Sequence, residues 1–582
     1  MSTKTADDSS LSEFKEIPIP EDTEISTFGN DAMITLRSDW SPPGYEYVGE
    51  GEGSSSVSLL PAGSLIVAPM VDVMNNDYSK STVLFLPTSS RSLQSTTTTK
   101  DYVILDILED VRTTLVIWKK ETNDNDGNDK WTLQESPANN EAVKIGESLG
   151  FGSPNRDSSI DNRLFLWRDG YLIPDSLEYI EDVSDLSNSI KLKSKPSMFN
   201  ANDLTVDQYF VSSKDGTKIP YFIIRKKDIV YDGSNPTLLD AYGGFEISML
   251  PGYSAAVGAA WLEYGGVKVI ANIRGGGEYG PKWHQSALKE NRYKCYEDME
   301  AVGQDLIDRQ ITSPSKLACI GGSNGTCSNY SSVQCSAVLC TYYMSILNRV
   351  HGRRRRCRRH VFVLIRFCRR WCWCRFLCGV LFLPSFRISH IWILIFLPFT
   401  YMTGGLMVGN LITRPISSKL FGAAVCQVPL LDMKVYSHLL AGASWMAEYG
   451  NPDKPEEWKF LRRHSPYHLL RHDNLGLPEE VVEVDDDGKE TKTTIIDSPI
   501  KNPDWVCPKV LFTTSTRDDR VHPGHARKMV RSLLEEAQTV GKAPEVHYWE
   551  NIEGGHGGAA DNKQRAHMWS LTYSMLKQTL GL

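Results

Sequence analysis

Three residue groups in this chain carry what nucleophilic attack on a carbonyl requires, in the order serine, aspartate, histidine. Gly321-Gly322-Ser323-Asn324-Gly325 fits G-x-S-x-G, which places a serine on a strained strand-to-helix turn with its hydroxyl exposed above a sheet. Asp518 lies just past the apolar run 510–516. His556 stands in Glu553-Gly554-Gly555-His556-Gly557-Gly558, where flanking glycines let the backbone bend and bring the imidazole up to the serine. A serine attacks poorly until a base takes its proton and a third group orients that base, so the chemistry in view is acyl transfer through a covalent intermediate. Asp519 adjoins Asp518 and stands as the alternative acid. His522, His525, His547 and His567 read as surface or packing histidines.

The helix that such a turn needs does not follow Gly325 directly. It is found at Gly405-Leu406-Met407-Val408-Gly409-Asn410, and joining Gly325 to Gly405 gives GGSNGGLMVGN. The intervening 326–404 holds 12 arginines but no lysine, aspartate or glutamate. It also carries 8 of the 12 cysteines: Cys327, Cys335, Cys340, Cys357, Cys368, Cys372, Cys374 and Cys378. Folded domains rarely use arginine so heavily without lysine. The segment reads as translated non-coding sequence, an intron retained in frame. Two other readings compete. Arg353-Arg354-Arg355-Arg356 precede an apolar stretch over 376–402 that would suit a membrane anchor. However, Pro384, Arg387, Ser389, His390 and Pro398 interrupt the roughly 20 apolar residues that a spanning helix needs. Cys368, Cys372, Cys374 and Cys378 sit close enough for a zinc site but lack the matching second pair with histidines. The runs RRRRCRR and FCRRWCWCR are weak evidence for nucleic-acid binding.

The rest of the chain narrows the class. At 582 residues it is long enough for two or more domains. The formal net charge is −8, so no nucleic-acid surface is expected outside the interruption. The N-terminus MSTKTADDSSLSEFKEI has no apolar core, so no signal peptide is expected. Outside 326–404 only Cys295, Cys319, Cys426 and Cys507 remain, the usage of a reduced, cytoplasmic protein rather than a disulfide framework.

The elements that must hold the three groups fall into two regions. Residues 1–198 read as short strands broken by turns, most clearly 64–69, 82–87, 101–107, 113–118 and 163–167. Many short strands suggest a sandwich or a propeller, and at roughly 40–45 residues per blade this region holds about four. From about residue 200 strands and helices alternate: strands at 236–242, 267–273, 317–320, 423–428, 510–516 and 546–550, helices at 255–263, 294–311, 524–537 and 561–580. Alternation in that order predicts an α/β fold with a doubly wound parallel sheet, and the Ser, Asp, His order is that of α/β-hydrolases. Residues 479–503, rich in acids and lysine, read as an exposed loop. Gly275-Gly276-Gly277-Glu278-Tyr279-Gly280 formally fits a dinucleotide loop with Asp298 downstream. It lacks a helix opening at the glycines, so it reads as a structural loop with no phosphate role.

Taken together, GGSNG joined to GLMVGN, AYGGF at 241–245, NIRGGGEYGPKWH at 272–284, GASWMAEYG at 442–450, TRDDRVHPGHA at 516–526 and EGGHGG at 553–558 resemble the prolyl oligopeptidase family of serine peptidases. The resemblance covers most of 200–325 and 405–582. It implies an α/β-hydrolase peptidase domain over 199–325 and 405–582, with 1–198 as the later blades of the family's β-propeller. Ser323 then matches the nucleophile, Asp518 the orienting acid and His556 the general base. Tyr242 matches the tyrosine whose hydroxyl helps form the oxyanion hole, with the backbone N–H of Asn324 as its partner. Trp445 matches the indole that stacks on a substrate proline, Phe245, Tyr449 and Val521 wall the same pocket, and Arg520 matches the arginine that holds a substrate carbonyl.

A proline ring is flat and apolar, so an aromatic slot without buried charge suits it. Relatives that prefer basic residues would need acids there, and the motif residues read as having none. Asn324 after the serine also resembles the prolyl branch more than the dipeptidyl or acylaminoacyl branches, which usually carry tyrosine there. The resemblance implies short peptides as substrates, cleavage after proline, no cofactor, no metal and a monomer. A membrane partner is expected only if 326–404 belongs to the working protein.

Two departures matter. The chain begins without the family's early segment and about half of its propeller. Closing a loop of about 79 residues costs only roughly 4 kcal/mol, within the margin of a domain stable by about 5–15 kcal/mol. Position matters more, because foreign chain after Gly325 detaches Ser323 from its helix. The chain as written is therefore expected to be inactive or misfolded. The competing readings are a vestigial or membrane-tethered product, or an esterase or lipase on the same fold.

Overall fold

The computed structural model describes residues 16–45, 59–121, 130–134, 143–155, 157–322, 403–471, 480–484, 490–494, 505–539 and 544–582. The chain divides into two units, Met1–Ser323 with Tyr401–Leu582, and Asn324–Thr400. The second unit lies outside the described residues, so the fold below is that of the first.

The N-terminal region forms three four-stranded antiparallel sheets, each taken in sequence order. They are β1–β4 (Glu24–Phe28, Asp31–Thr35, Leu65–Pro69, Thr82–Phe85), β5–β8 (Arg91–Thr98, Tyr102–Glu109, Arg112–Glu121, Lys130–Gln134) and β9–β12 (Glu147–Gly152, Leu164–Gly170, Ser176–Ile180, Ile190–Ser194). Where about four blades were expected, the described residues hold three such propeller-like sheets. The middle sheet shows why they stack. Strand β6, YVILDILE, is buried almost throughout. Val103, Leu105 and Ile107 face the cluster with β1–β4, while Tyr102 and Ile104 face the cluster with β9–β12. A strand covered on both sides needs this near-continuous apolar run rather than alternation.

From β13 onward the chain builds one eight-stranded sheet. Its strands are β13 (Leu204–Ser212), β14 (Lys218–Lys226), β15 (Thr237–Ala241), β16 (Val267–Ala271), β17 (Leu317–Gly322), β18 (Ala423–Gln427), β21 (Lys509–Ser515) and β22 (Val546–Asn551). They lie in the order β13-β14-β16-β15-β17-β18-β21-β22. The pairs β13–β14 and β14–β16 are antiparallel, and the rest of the sheet is parallel, as expected of alternating strands and helices. Alternate residues of one strand feed opposite layers. Leu239 and Cys319 face a core with Met299, Val302 and Leu306 of the helix Tyr293–Asp308 and with Met407 and Leu411 of the helix Gly404–Thr413. Leu238, Ala318 and Ile320 face Trp261, Tyr573, Leu576 and Leu580 on the other side. The last three belong to the helix Asn562–Leu580, which Asp561 caps by accepting from Gln564 N–H at 2.8 Å.

The expected helix over 255–263 is a single α-turn, Ala255–Val257, running into a π-turn, Gly258–Leu262. The expected loop over 479–503 is corrected in part: Glu480–Val484 (β19) and Glu490–Thr494 (β20) pair as an antiparallel hairpin. The valines of EVVEV and the threonines of ETKTT supply the strand propensity that the charge density hid.

Candidate active site

The chain reverses direction across the sheet at β15. From β15 it crosses to β16 on one side, and the next strand, β17, pairs on the other side of β15. In open α/β sheets such a switch point leaves a crevice beyond the carboxyl ends of the strands, where ligands bind. Tyr242 immediately follows β15, and Gly322 ends β17 one residue before Ser323. Ser323 and Asn324 themselves lie outside the described residues.

The acid and the base meet at this end of the sheet. Asp518 lies on the turn after β21, closed by Asp518 N–H donating to Ser515 O at 3.2 Å. His556 lies on the loop after β22. His556 Nδ1 is 2.9 Å from both Oδ1 and Oδ2 of Asp518. Asp518 Oδ1 also accepts the backbone N–H groups of Arg520 and Val521, each at 2.9 Å. Both side chains are buried, whereas Asp519 is exposed, so of the two aspartates it is Asp518 that meets His556. Through Nδ1 the carboxylate fixes the orientation of the imidazole ring.

The other histidines are accounted for by packing and local bonds. His525 is buried, its Nδ1 accepts from Asp432 N–H at 3.1 Å, and burial pushes its pKa down to about 4. His522 Nδ1 accepts Gly524 N–H at 3.0 Å, His547 contacts Glu545, and His567 packs near Trp549.

The residues expected to wall a proline pocket are brought together. Phe245, Trp445, Tyr449 and Val521 share one cluster with Leu406, Leu430, Met433 and Tyr436. Phe245 meets Tyr449 edge-to-face, with ring centroids 5.7 Å apart and planes at 88°. Arg520 is half-buried, and its carbonyl accepts Ala441 N–H at 3.4 Å, tying the Asp518 turn to the Trp445 segment.

The glycine loop rejected as a dinucleotide site supports the Tyr242 segment instead. Gly275 adopts φ +92°, and a Cβ there would stand 2.6 Å from Gly243 O. Glu246 N–H donates to Gly275 O at 3.1 Å. Asp298 is fully buried and takes the Arg274 guanidinium, with Nη2 at 2.6 Å and Nε at 3.0 Å.

One reading of the sequence needs correction. The motif residues of the proline slot read as free of acids, yet Glu448 lies in the motif at 442–450 and is buried beneath the aromatic wall. Its charge is compensated by Arg292, with Nη1 at 2.9 Å, and His284 Nε2 lies 2.8 Å away. An acid inside an apolar motif was the available signal. Its partners, far apart in sequence, gave none.

Among the described residues no group of three or more His, Cys, Asp or Glu side chains could hold a metal ion, and no helix is long and apolar enough to cross a membrane. The four cysteines outside 326–404 are free thiols. The candidate zinc cysteines and the arginine runs lie outside the described residues.

Comparison with known proteins adds independent findings. Residues 253–333 and 403–582 match the sequence pattern of the prolyl oligopeptidase family. An uncharacterized peptidase of Sinorhizobium fredii is 32% identical over 97% of this chain and 58% of its own length. An uncharacterized peptidase of Rickettsia prowazekii is 27% identical over 98% of this chain and 59% of its own. The chain thus spans somewhat more than half the length of these curated relatives. Among solved structures, a post-proline cleaving enzyme from Rickettsia typhi superposes with a TM-score of 0.64 at 25% identity, covering 98% of this chain and 63% of that one. Prolyl oligopeptidase B from Galerina marginata gives 0.62 at 19% identity, over 96% of this chain and 57% of that one, a likeness of fold.

Proposed function

Because the chain belongs to the prolyl oligopeptidase family, we propose that it encodes a serine endopeptidase that hydrolyses short peptides on the carboxyl side of proline. The observation that carries this reading is His556 Nδ1 held 2.9 Å from both oxygens of Asp518, on the loops after β21 and β22, at the same end of the parallel strands as Gly322, which Ser323 follows in sequence. The name of the Rickettsia typhi structure, a post-proline cleaving enzyme, supports the specificity.

In this reading Ser323 Oγ attacks the scissile carbonyl while His556 Nε2 takes its proton. Asp518 keeps the imidazole in the tautomer that presents Nε2 and stabilises the imidazolium. The oxyanion is met by the Tyr242 hydroxyl and the Asn324 N–H, which act best where charge develops in a preorganised site. His556 then returns the proton to the leaving amine, and water attacks the acyl-Ser323 by the same route. The proline ring stacks on Trp445 between Phe245, Tyr449 and Val521, and Arg520 holds a substrate carbonyl. We place the working enzyme in the cytoplasm, as a monomer without cofactor.

Residues 326–404 stand between the nucleophile and its helix. We read them as foreign to the working enzyme, and the chain as written as inactive. The break in the family match between 333 and 403 supports that reading. The test compares the full chain with a version joining Gly325 to Gly405, on a proline-containing peptide, with Ser323→Ala as control. Cleavage after proline by the joined chain alone is expected. Ser323-dependent cleavage by the full chain would overturn the reading of 326–404. Ester hydrolysis without peptide cleavage in the joined chain would overturn the peptidase reading.

A further inference from the structure

Glu448 occupies an unusual place for a carboxylate. It is 4% exposed and sits next to Tyr449 in the aromatic wall. Oε1 accepts the Phe245 backbone N–H at 3.0 Å and lies 2.9 Å from Arg292 Nη1, while Oε2 lies 2.8 Å from His284 Nε2. Arg292 is itself buried, with its guanidinium 5.4 Å from the centroid of the Tyr449 ring.

The segment that Glu448 grips is strained. Phe245 and Glu246 adopt φ of +53° and +57°, a conformation that residues with a Cβ enter only at a cost and hold only when their surroundings over-determine it. The Glu246 side chain is held in turn by Arg37 and lies 3.6 Å from His284 Nδ1. A buried ion pair is weak evidence of stabilisation, since apolar residues of similar volume often serve as well. An apolar side chain at 448, however, could not accept the Phe245 N–H.

We infer that Glu448 is a positioning residue for proline selectivity: it locks Phe245 edge-on to Tyr449, and Arg292 cancels its charge so that the pocket does not admit a basic side chain. This rests on the proline-pocket reading given under Proposed function.

The experiment measures binding of fluorescent tripeptides ending in proline, alanine or arginine to the full chain, with melting temperature followed in parallel. The wild-type chain is expected to prefer the prolyl over the alanyl peptide by at least about tenfold, the scale of a well-filled apolar pocket. Glu448→Met should bring that ratio close to one, and Glu448→Gln, which can still accept from Phe245, should restore most of it. Arg292→Gln should raise binding of the arginyl peptide relative to the prolyl one. A Glu448→Met chain that melts lower yet keeps its prolyl-to-alanyl ratio would show a merely structural role and overturn the inference. If Glu448→Met does not fold, an unchanged arginyl-to-prolyl ratio in Arg292→Gln does the same. A wild-type chain that binds both peptides equally overturns the pocket reading itself, and this inference with it.

Discussion

Gly321 and Gly404 pack backbone against backbone: a Cβ on Gly321 would stand 2.4 Å from the carbonyl oxygen of Gly404. All of 322–403 separates them in sequence. The helix Gly404–Thr413 nevertheless abuts the end of β17, where an uninterrupted nucleophile elbow would place it. Thr403 Oγ1 further ties this junction to Tyr242 O, at 2.8 Å. Joining Asn324 to Gly404 yields the same GGSNGGLMVGN as joining Gly325 to Gly405, so the joined chain is one sequence whichever glycine is kept. Substituting alanine for Gly321 in the joined chain should lower activity by at least tenfold, because the added methyl forces helix and strand apart. Steady-state kinetics on a proline-containing peptide would check this.

Asp518→Asn in the joined chain leaves the shape of the acid site but reverses which imidazole nitrogen it favours protonated. A fall in kcat on the order of 10⁴ is expected, with KM little changed and melting temperature preserved. Asp519→Ala should leave kcat within a factor of about two, since that side chain points to solvent. Comparing the two variants side by side tests the assignment directly.

Under the proposed mechanism Tyr242→Phe would remove one oxyanion donor and should lower kcat by about 10²–10³. Gly275→Ala should act on the same step from outside the site. Its Cβ would press on Gly243 O, and its φ of +92° disfavours any side chain. A loss of kcat larger in proportion than the fall in melting temperature would identify the loop as the support of Tyr242.

Glu278 gives the protein a pH-dependent stability. It is 1% exposed, and burial pushes its pKa up to about 7 from an ordinary 4.5, against the acceptor bonds from Met249 N–H and Asn272 Nδ2. A carboxyl raised in the folded state contributes stability fully present below its unfolded pKa. That contribution is lost as pH rises through about 7. Glu278→Gln stays neutral throughout. It should match the wild type near pH 4 and exceed it at pH 8 by about 3 kcal/mol at most, read from denaturant unfolding at the two pH values.

Much of this protein was legible in its residues. The six parallel strands of the large sheet were legible to within a few positions because buried parallel strands are short apolar runs with turn residues at their ends, as in Leu317–Gly322 and Ala423–Gln427, whereas the antiparallel β13 and β14 and the hairpin β19–β20 were not. The meeting of Asp518 with His556 was legible because glycines and chain order mark strand-end loops. The anomaly of 326–404 was legible from arginine and cysteine usage alone. Tertiary structure decided what depends on distance through space. It separated Asp518 from Asp519 by burial, gave the rejected glycine loop its task against Gly243, and placed Glu448 between Arg292, His284 and the Phe245 amide. Those partners come from elements remote in the chain. A pattern read along one strand or helix registers its own periodicity but carries no record of which distant charge will be buried beside it.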